Sequence, residues 1–116
     1  MPAHKVQLGL ESPANAGYVV TKADKPGFEA RAAAIQIAPG SWDAYVWCTA
    51  FPKQVKKTTL HYTLGGDWKK IEDAEYPFEF SIPVPDEKAR FRYRLEGETA
   101  KGEQFNTSVA EVGLGR

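Results

Sequence analysis

The sequence predicts an all-β domain, an antiparallel two-sheet β-sandwich of seven to nine short strands. Apolar and polar residues alternate with a period of two in several segments, which is typical of strands that bury one face. Turn-forming residues separate these segments at intervals of roughly 8–12 residues, the spacing expected in a sandwich or barrel. A chain of 116 residues suits one domain with a single core, so residues 1–116 are expected to form one β-sandwich domain.

The first half of the chain contains four predicted strands. Residues 6–10 alternate apolar with polar side chains, and residues 18–21 are rich in β-formers. Residues 28–37 are ambiguous, because their alanines favour a helix and Ile35-Gln36-Ile37 favours a strand. We favour a strand there, since a short isolated helix is only marginally stable. Residues 45–50 form a near-continuous apolar run, typical of a central strand covered on both faces.

The second half has the clearest strand patterns. Residues 58–64 alternate cleanly, and a turn at 65–67 leads into a short return strand. Aromatic-rich strands at 78–84 and 91–95 are joined by a four-residue loop, which predicts a β-hairpin. Pro83 has no amide hydrogen to donate, so this strand end should lie at a sheet edge or point its missing donor away from a ladder. Residues 104–112 form the last predicted strand.

Charge and composition restrict the partners. The 15 basic residues balance 15 acidic ones, which argues against nucleic acid or a membrane surface as the partner, because both favour a positive field. A neutral ligand such as a polysaccharide, or another protein, is compatible with this balance. No secretory signal or transmembrane segment is visible, so we expect a soluble chain that is cytoplasmic by default. The single cysteine, Cys48, cannot form an internal disulfide and is expected to pack as a small hydrophobe.

Catalytic chemistry has little support in the sequence. His4 lies near the start and His61 within a strand, and with Cys48 they do not have the spacing of a zinc site. Phosphate-binding glycine motifs, nucleophile elbows and dinucleotide fingerprints are missing from the sequence. We therefore expect a protein that is not an enzyme, with no catalytic residue, no metal ligand and no cofactor.

Three arginines, Arg90, Arg92 and Arg94, share one face of a predicted strand. One interpretation is a basic stripe that binds an anion. The other, which we favour, is cross-strand pairing with Glu79 on the predicted hairpin partner, because opposite charges across strands stabilise a sheet modestly.

The aromatic residues indicate where a ligand could bind. Most of them follow the strand period and are expected in the core, as is Trp47 in the most apolar run. Trp42 and Trp68 instead stand in segments with loop composition. An exposed indole in a loop beside polar groups often marks a binding surface, and its flat face can stack on a sugar ring. Alternatively, both indoles fold back as lids on the ends of the sandwich.

Four segments carry a more specific pattern. Residues 50–53 form an alanine–aromatic–lysine step, residues 55–63 a strand that ends in tyrosine–threonine, and residues 66–68 a loop with an acidic residue and a tryptophan; residues 78–83 are phenylalanine-rich. Together these segments resemble starch- and glycogen-binding modules of the type found at the N-terminus of fungal glucoamylase, over roughly residues 45–108. The match departs at residues 104–108, where that family carries an aspartate and consecutive asparagines.

The resemblance implies an immunoglobulin-like β-sandwich that binds α-glucan chains without cleaving them. It implies that Trp68 stacks on glucose, that Phe51 belongs to a second binding surface, and that Phe105 and Asn106 stand at a ligand-contacting loop. Together with the loop position of Trp42, these are the expected ligand-binding residues. The sequence thus predicts a non-catalytic carbohydrate-binding module. The alternative is an immunoglobulin-like protein-interaction or structural accessory domain without a small-molecule ligand.

Overall fold

A computed structural model describes residues 19–39, 41–50, 53–85 and 90–113. The predicted strand at 6–10 and the predicted binding residue Phe51 lie outside these ranges. The described residues form nine strands and no helix, so none of them could cross a membrane as a helix. The strands are β1 (Val19–Lys22), β2 (Glu29–Ala38), β3 (Ser41–Cys48), β4 (Val55–Thr63), β5 (Lys69–Asp73), β6 (Glu79–Val84), β7 (Phe91–Thr99), β8 (Gln104–Asn106) and β9 (Ala110–Val112).

The strands form two antiparallel sheets, as the sequence predicts. Sheet I has the order β1-β2-β3-β6. Sheet II has the order β5-β4-β7-β8, and β9 also pairs with β7. Except for Ala33, the buried hydrophobic residues that the structure describes belong to one core cluster drawn from both sheets, so the sheets pack as a sandwich. The prediction of an all-β, two-sheet sandwich is confirmed.

The ambiguous segment 28–37 lies in a strand, β2. Ala30, Ala32 and Ala34 point into the core with at most 8% of their surface exposed. They share the core cluster with large rings such as Phe91 and Tyr93 of sheet II. Burial between two sheets therefore overrides the helix propensity of alanine, which is a weak preference.

The predicted hairpin between residues 78–84 and 91–95 is wrong. β6 pairs with β3 in sheet I, whereas β7 pairs with β4, β8 and β9 in sheet II, so the chain crosses between the sheets at this connection. Both strands present alternate apolar residues to the same core from opposite sides. β6 is an edge strand of sheet I, which confirms the prediction for Pro83.

The predicted hairpin at residues 58–71 is confirmed as β4 and β5, which pair from Thr58–Asp73 to Tyr62–Lys69. The last predicted strand, residues 104–112, forms two short strands, β8 and β9, that both pair with β7.

Candidate ligand-binding face

Trp68 is held at the end of the β4–β5 turn. The hydroxyl oxygen of Thr63 accepts hydrogen bonds from the backbone amides of Gly65 (3.1 Å) and Gly66 (3.0 Å), and the Thr63 hydroxyl donates to the Gly66 carbonyl at 2.8 Å. Gly65 has a φ of 102°, which glycine adopts without strain. The tight turn places Trp68 directly before β5, where 47% of its surface is exposed. Of the two alternatives that the sequence leaves open for Trp68, the exposed loop position is the one observed.

The outward side of sheet II beside this turn is lined with polar side chains, which alternate along β4 and β7 with the buried residues. Strand register arranges them in three rows across the sheet, which we call the polar face. The rows are Lys70–His61–Arg94, then Glu72–Thr59–Glu96–Asn106, then Lys57–Glu98–Gln104.

Contacts between neighbouring rows hold the polar face in place. His61 Nε2 lies 2.8 Å from Glu96 Oε1, and Lys57 Nζ lies 3.1 Å from Glu72 Oε2. The hydrogen bond and the charge of Glu72 raise the pKa of Lys57. Arg94 Nη1 donates to the side-chain oxygen of Asn106 at 3.2 Å. Polar pairs at a protein surface add little stability. These contacts, two of them part-buried, restrict the orientation of the side chains on the polar face.

A shallow cleft of about 440 Å³ opens on this face, between β5 and β8. Its lining includes amines, carboxylates, the His61 imidazole and the amide of Gln104. This set offers hydrogen-bond donors and acceptors close together, with both signs of charge. Such a surface suits a neutral ligand rich in hydroxyl groups better than a strongly charged one.

The predicted loop position of Trp42 is wrong. β3 begins at Ser41, and its alternation turns Trp42 into the core, where only 6% of its surface is exposed. Its indole N–H has no hydrogen-bond partner among the described residues. Trp42 therefore packs inside the sandwich and is not part of the polar face.

Phe105 is also a core residue, and no ligand can reach its ring. Its surface is fully buried, and its ring stacks on Phe28 with centroids 4.5 Å apart. Its neighbour Asn106 turns outward and belongs to the polar face. The backbone amide of Asn106 donates to Asp24 Oδ1 (2.8 Å), and the Asp24 amide donates to the Asn106 carbonyl (2.8 Å), which ties β8 to the β1–β2 loop.

Trp68 and Asn106 lie at opposite sides of the polar face. They are separated by three inter-strand spacings, roughly 14 Å. Asn106 shares a row with Glu72, and Trp68 precedes Glu72 by four positions, which adds roughly 13 Å along the strand. Only an extended ligand could contact both residues, whereas a single sugar ring could not.

Two aromatic residues lie together on the outer face of sheet I, a position that the sequence pattern does not predict. Tyr45 and Trp47 alternate with the buried residues of β3 and lie on the outer face of sheet I, with ring centroids 5.2 Å apart. The expectation that Trp47 lies in the core is therefore wrong. The Tyr45 hydroxyl donates a hydrogen bond to Glu79 on β6. The apolar run at 45–50 hides the alternation, because both sets of side chains are apolar there.

The arginines do not pair as expected. Glu79 lies in sheet I, so its predicted pairing with Arg90, Arg92 and Arg94 is wrong. The Arg90 guanidinium instead donates two hydrogen bonds to Glu111, at 2.8 and 3.2 Å, and the contact lowers the pKa of Glu111. Arg92 lies opposite Glu111 in the strand register, and Arg94 binds Asn106.

The cleft holds one hydrogen-bonded pair of titratable groups, His61 and Glu96, with Thr59 and Lys70 also in its lining. None of the described interactions joins the Thr59 hydroxyl or the Lys70 amine to His61, as an activated nucleophile would require. Cys48 is buried in β3, and burial, with a smaller effect from the charge of Glu29, raises the pKa of its thiol to about 12. Within the described ranges, no group of three or more histidine, cysteine or acidic side chains could hold a metal ion.

Comparisons with known proteins identify no relative of this chain. No protein-family model, no curated protein and no solved structure matches this chain.

Proposed function

We propose that this chain is a non-catalytic carbohydrate-binding module that binds an extended α-glucan along the polar face. The observation that carries the proposal is the half-exposed Trp68 at the end of the same hairpin that supplies Lys70 and His61 to that face. An indole supplies a flat apolar surface for the C–H face of a sugar ring. The side chains beside it supply hydrogen bonds for hydroxyl groups.

The choice of an α-glucan rests on the sequence resemblance, in which Trp68 corresponds to the glucose-stacking tryptophan. The resemblance also implies an immunoglobulin-like sandwich, and the strand connections support this. The chain passes from β3 to β4 in the other sheet, returns to β6 beside β3, and crosses again to β7 beside β4. Strands B, C, E and F of an immunoglobulin domain follow the same path.

Native affinity electrophoresis in gels that contain amylopectin or glycogen tests the proposal. We expect the folded wild-type chain to migrate more slowly than in a polymer-free gel, and Trp68→Ala to lose that retardation. Tyr76→Ala is the matched control, because Tyr76 is a similarly exposed aromatic that lies in the connection after β5. Unretarded migration of the folded wild type, or equal retardation of Trp68→Ala, contradicts binding through this face.

A second function, a protein-interaction domain, is favoured by the Tyr45–Trp47 pair on sheet I. Both rings are only half-buried, and aromatic residues are enriched at protein interfaces. This reading predicts that Trp47→Ala weakens capture of a protein partner while leaving migration in glycogen gels unchanged. The two functions are therefore distinguished by which tryptophan the binding depends on.

A further inference from the structure

β5 is an open edge of sheet II. It pairs with β4 on one side, and no strand in the described part of the chain pairs with it on the other. An edge strand presents unpaired backbone N–H and C=O groups, which can pair with another strand. Four of its five residues are exposed, including Ile71 at 40%. Among the described residues, nothing covers the edge from Lys69 to Glu72.

The sequence of β5 is complementary to itself when two copies run antiparallel. Its residues are Lys69, Lys70, Ile71, Glu72 and Asp73, two cations, one apolar residue and two anions. With Ile71 on the two-fold axis, Lys70 lies opposite Glu72 of the partner subunit, and Lys69 lies opposite Asp73 of the partner subunit. The symmetry generates both pairs twice, so every charge of the strand faces its opposite.

Other antiparallel registers lose this match. A two-fold axis at Lys70 would place that lysine opposite its own copy, and an axis at Glu72 would do the same for the carboxylate. Like charges directly opposite each other destabilise a strand pair. Lys69 and Lys70 form no ion pair with any residue that the structure describes, so their charges are available for a partner. Glu72 already pairs with Lys57 at 3.1 Å, so its carboxylate would be shared between Lys57 and Lys70 of the partner subunit.

We propose that two copies of this chain pair antiparallel through β5, with Ile71 at the two-fold axis, and form one continuous sheet across the dimer. The occupant of the edge is thus a second copy of the chain, chosen by charge complementarity. The other edges fit this role less well. β6 contains Pro83, which cannot donate to a ladder; β8 and β9 have three residues each, and β1 (Val19–Lys22) has a cation but no anion.

The dimer would enlarge the polar face, whatever ligand that face binds. Lys70 and Glu72 belong to the polar face, so pairing through β5 joins the polar faces of two copies into one. The register also places Trp68 opposite Ala74 of the partner subunit, a small residue that leaves the indole uncovered. The inference itself stands on β5 alone and does not depend on the proposed function.

Sedimentation equilibrium over a range of protein concentrations tests the dimer. We expect the mass to rise from 12.8 kDa towards twice that value as the concentration increases. Lys70→Glu and Glu72→Lys each place like charges opposite each other, so each variant alone stays at the monomer mass. An equimolar mixture of the two restores opposite charges in every pair and should recover the dimer. Lys101→Glu is the control for the net-charge change of Lys70→Glu, because Lys101 lies away from β5, in the turn after β7.

Disulfide trapping at Ile71 gives a second measurement, because Ile71→Cys leaves the charges of β5 unchanged. Opposite residues in an antiparallel pair have Cα atoms about 4.5–5.5 Å apart, within the range of a disulfide. Ile71→Cys should therefore form a covalent dimer on oxidation with copper phenanthroline, and the wild type should not, because Cys48 is buried. Glu72→Cys should cross-link at least tenfold more slowly, since it faces Lys70 of the partner subunit.

Two results overturn the inference. One is a wild-type mass that stays at 12.8 kDa at every concentration, with no trapping of Ile71→Cys. The other is a dimer that persists in Lys70→Glu, or one that the equimolar mixture of charge variants fails to restore. Loss of glycogen binding in a dimer that still forms would contradict the proposed function and leave the dimer intact.

Discussion

Gly97 in β7 is the position where one methyl group should most disturb the core. A Cβ added there would lie 2.0 Å from Cζ of Phe105, and 2.5 and 2.6 Å from its Cε2 and Cε1 atoms. Ordinary contacts between carbon atoms are about 3.5–4.0 Å, so all three are severe overlaps. The ring has little freedom to move away, because it is fully buried and stacked on Phe28.

The expected cost of Gly97→Ala follows from this geometry. Extra methyl groups in a packed core cost about 1–3 kcal/mol. Three overlapping ring atoms and a stacked neighbour place this site at the upper end, about 3 kcal/mol. For a domain of this length, 1 kcal/mol corresponds to roughly 4 °C, so the melting temperature should fall by about 12 °C.

Thermal denaturation followed by circular dichroism measures this cost. The matched control is Gly66→Ala, because a Cβ at Gly66 meets no atom within 4 Å, and it should change stability by less than about 0.5 kcal/mol. Phe105→Ala should cost about 3–5 kcal/mol in the wild type, but clearly less in the Gly97→Ala background, since the overlap is then relieved. A Gly97→Ala variant that melts within 2 °C (roughly 0.5 kcal/mol) of the wild type would refute the packing of Phe105 against β7.

Three further predictions concern the tryptophans, the thiol and one surface pair. Trp42→Ala should cost about 3–5 kcal/mol in chemical denaturation and Trp68→Ala less than about 0.5 kcal/mol, and equal costs would contradict their different burial. Cys48, whose pKa burial raises to about 12, should react with an aromatic disulfide reagent at pH 8 only after unfolding, and rapid labelling of the native protein argues against its burial. NMR titration of the carboxyl groups should place the pKa of Glu111 below its usual range, and Arg90→Ala should raise that pKa back towards it. Because the pKa is lowered in the folded state, the Arg90–Glu111 pair stabilises the fold at pH values above the ordinary pKa of glutamate. This stabilisation is lost as the pH falls through the folded-state pKa.

Strand periodicity predicts much of this fold, but not how the strands are distributed between sheets. The β4–β5 hairpin follows from clean alternation and a glycine turn, and both signals are local. The β6–β7 connection has the same kind of signal, yet it crosses between sheets. A short loop is compatible with either path, because both strands bury one face in the same core. Which sheet a strand joins depends on contacts between residues that are distant in sequence, and the alternation within one strand gives no information about them.

The tryptophans show a similar limit for the candidate site. Trp68 could be located from sequence, because the turn before it is explicit. Trp42, expected in a loop, lies in the core, and Trp47, expected in the core, lies on the outer face of sheet I. The reason is that β3 begins at Ser41, and from there alternate side chains face inward, starting with Trp42. Gly40 and Asp43 suggest a loop at that point, and the apolar run after it conceals which residues face outward. The polar face could have been anticipated only in part, from the alternation of Thr59 and His61 with buried residues.

An NMR titration of the ¹⁵N-labelled chain with a linear α-glucan oligosaccharide tests the central claim most directly. We predict chemical-shift changes at the Trp68 indole and along the outward residues of β4, β5 and β7, including His61 and Glu96, with none at the Trp47 indole. The absence of any shift at ligand concentrations well above ~1 mM would contradict carbohydrate binding. It would mean a dissociation constant above about 1 mM, and so a binding free energy weaker than about −4 kcal/mol. Shifts confined to Tyr45 and Trp47 would place the binding surface on sheet I instead.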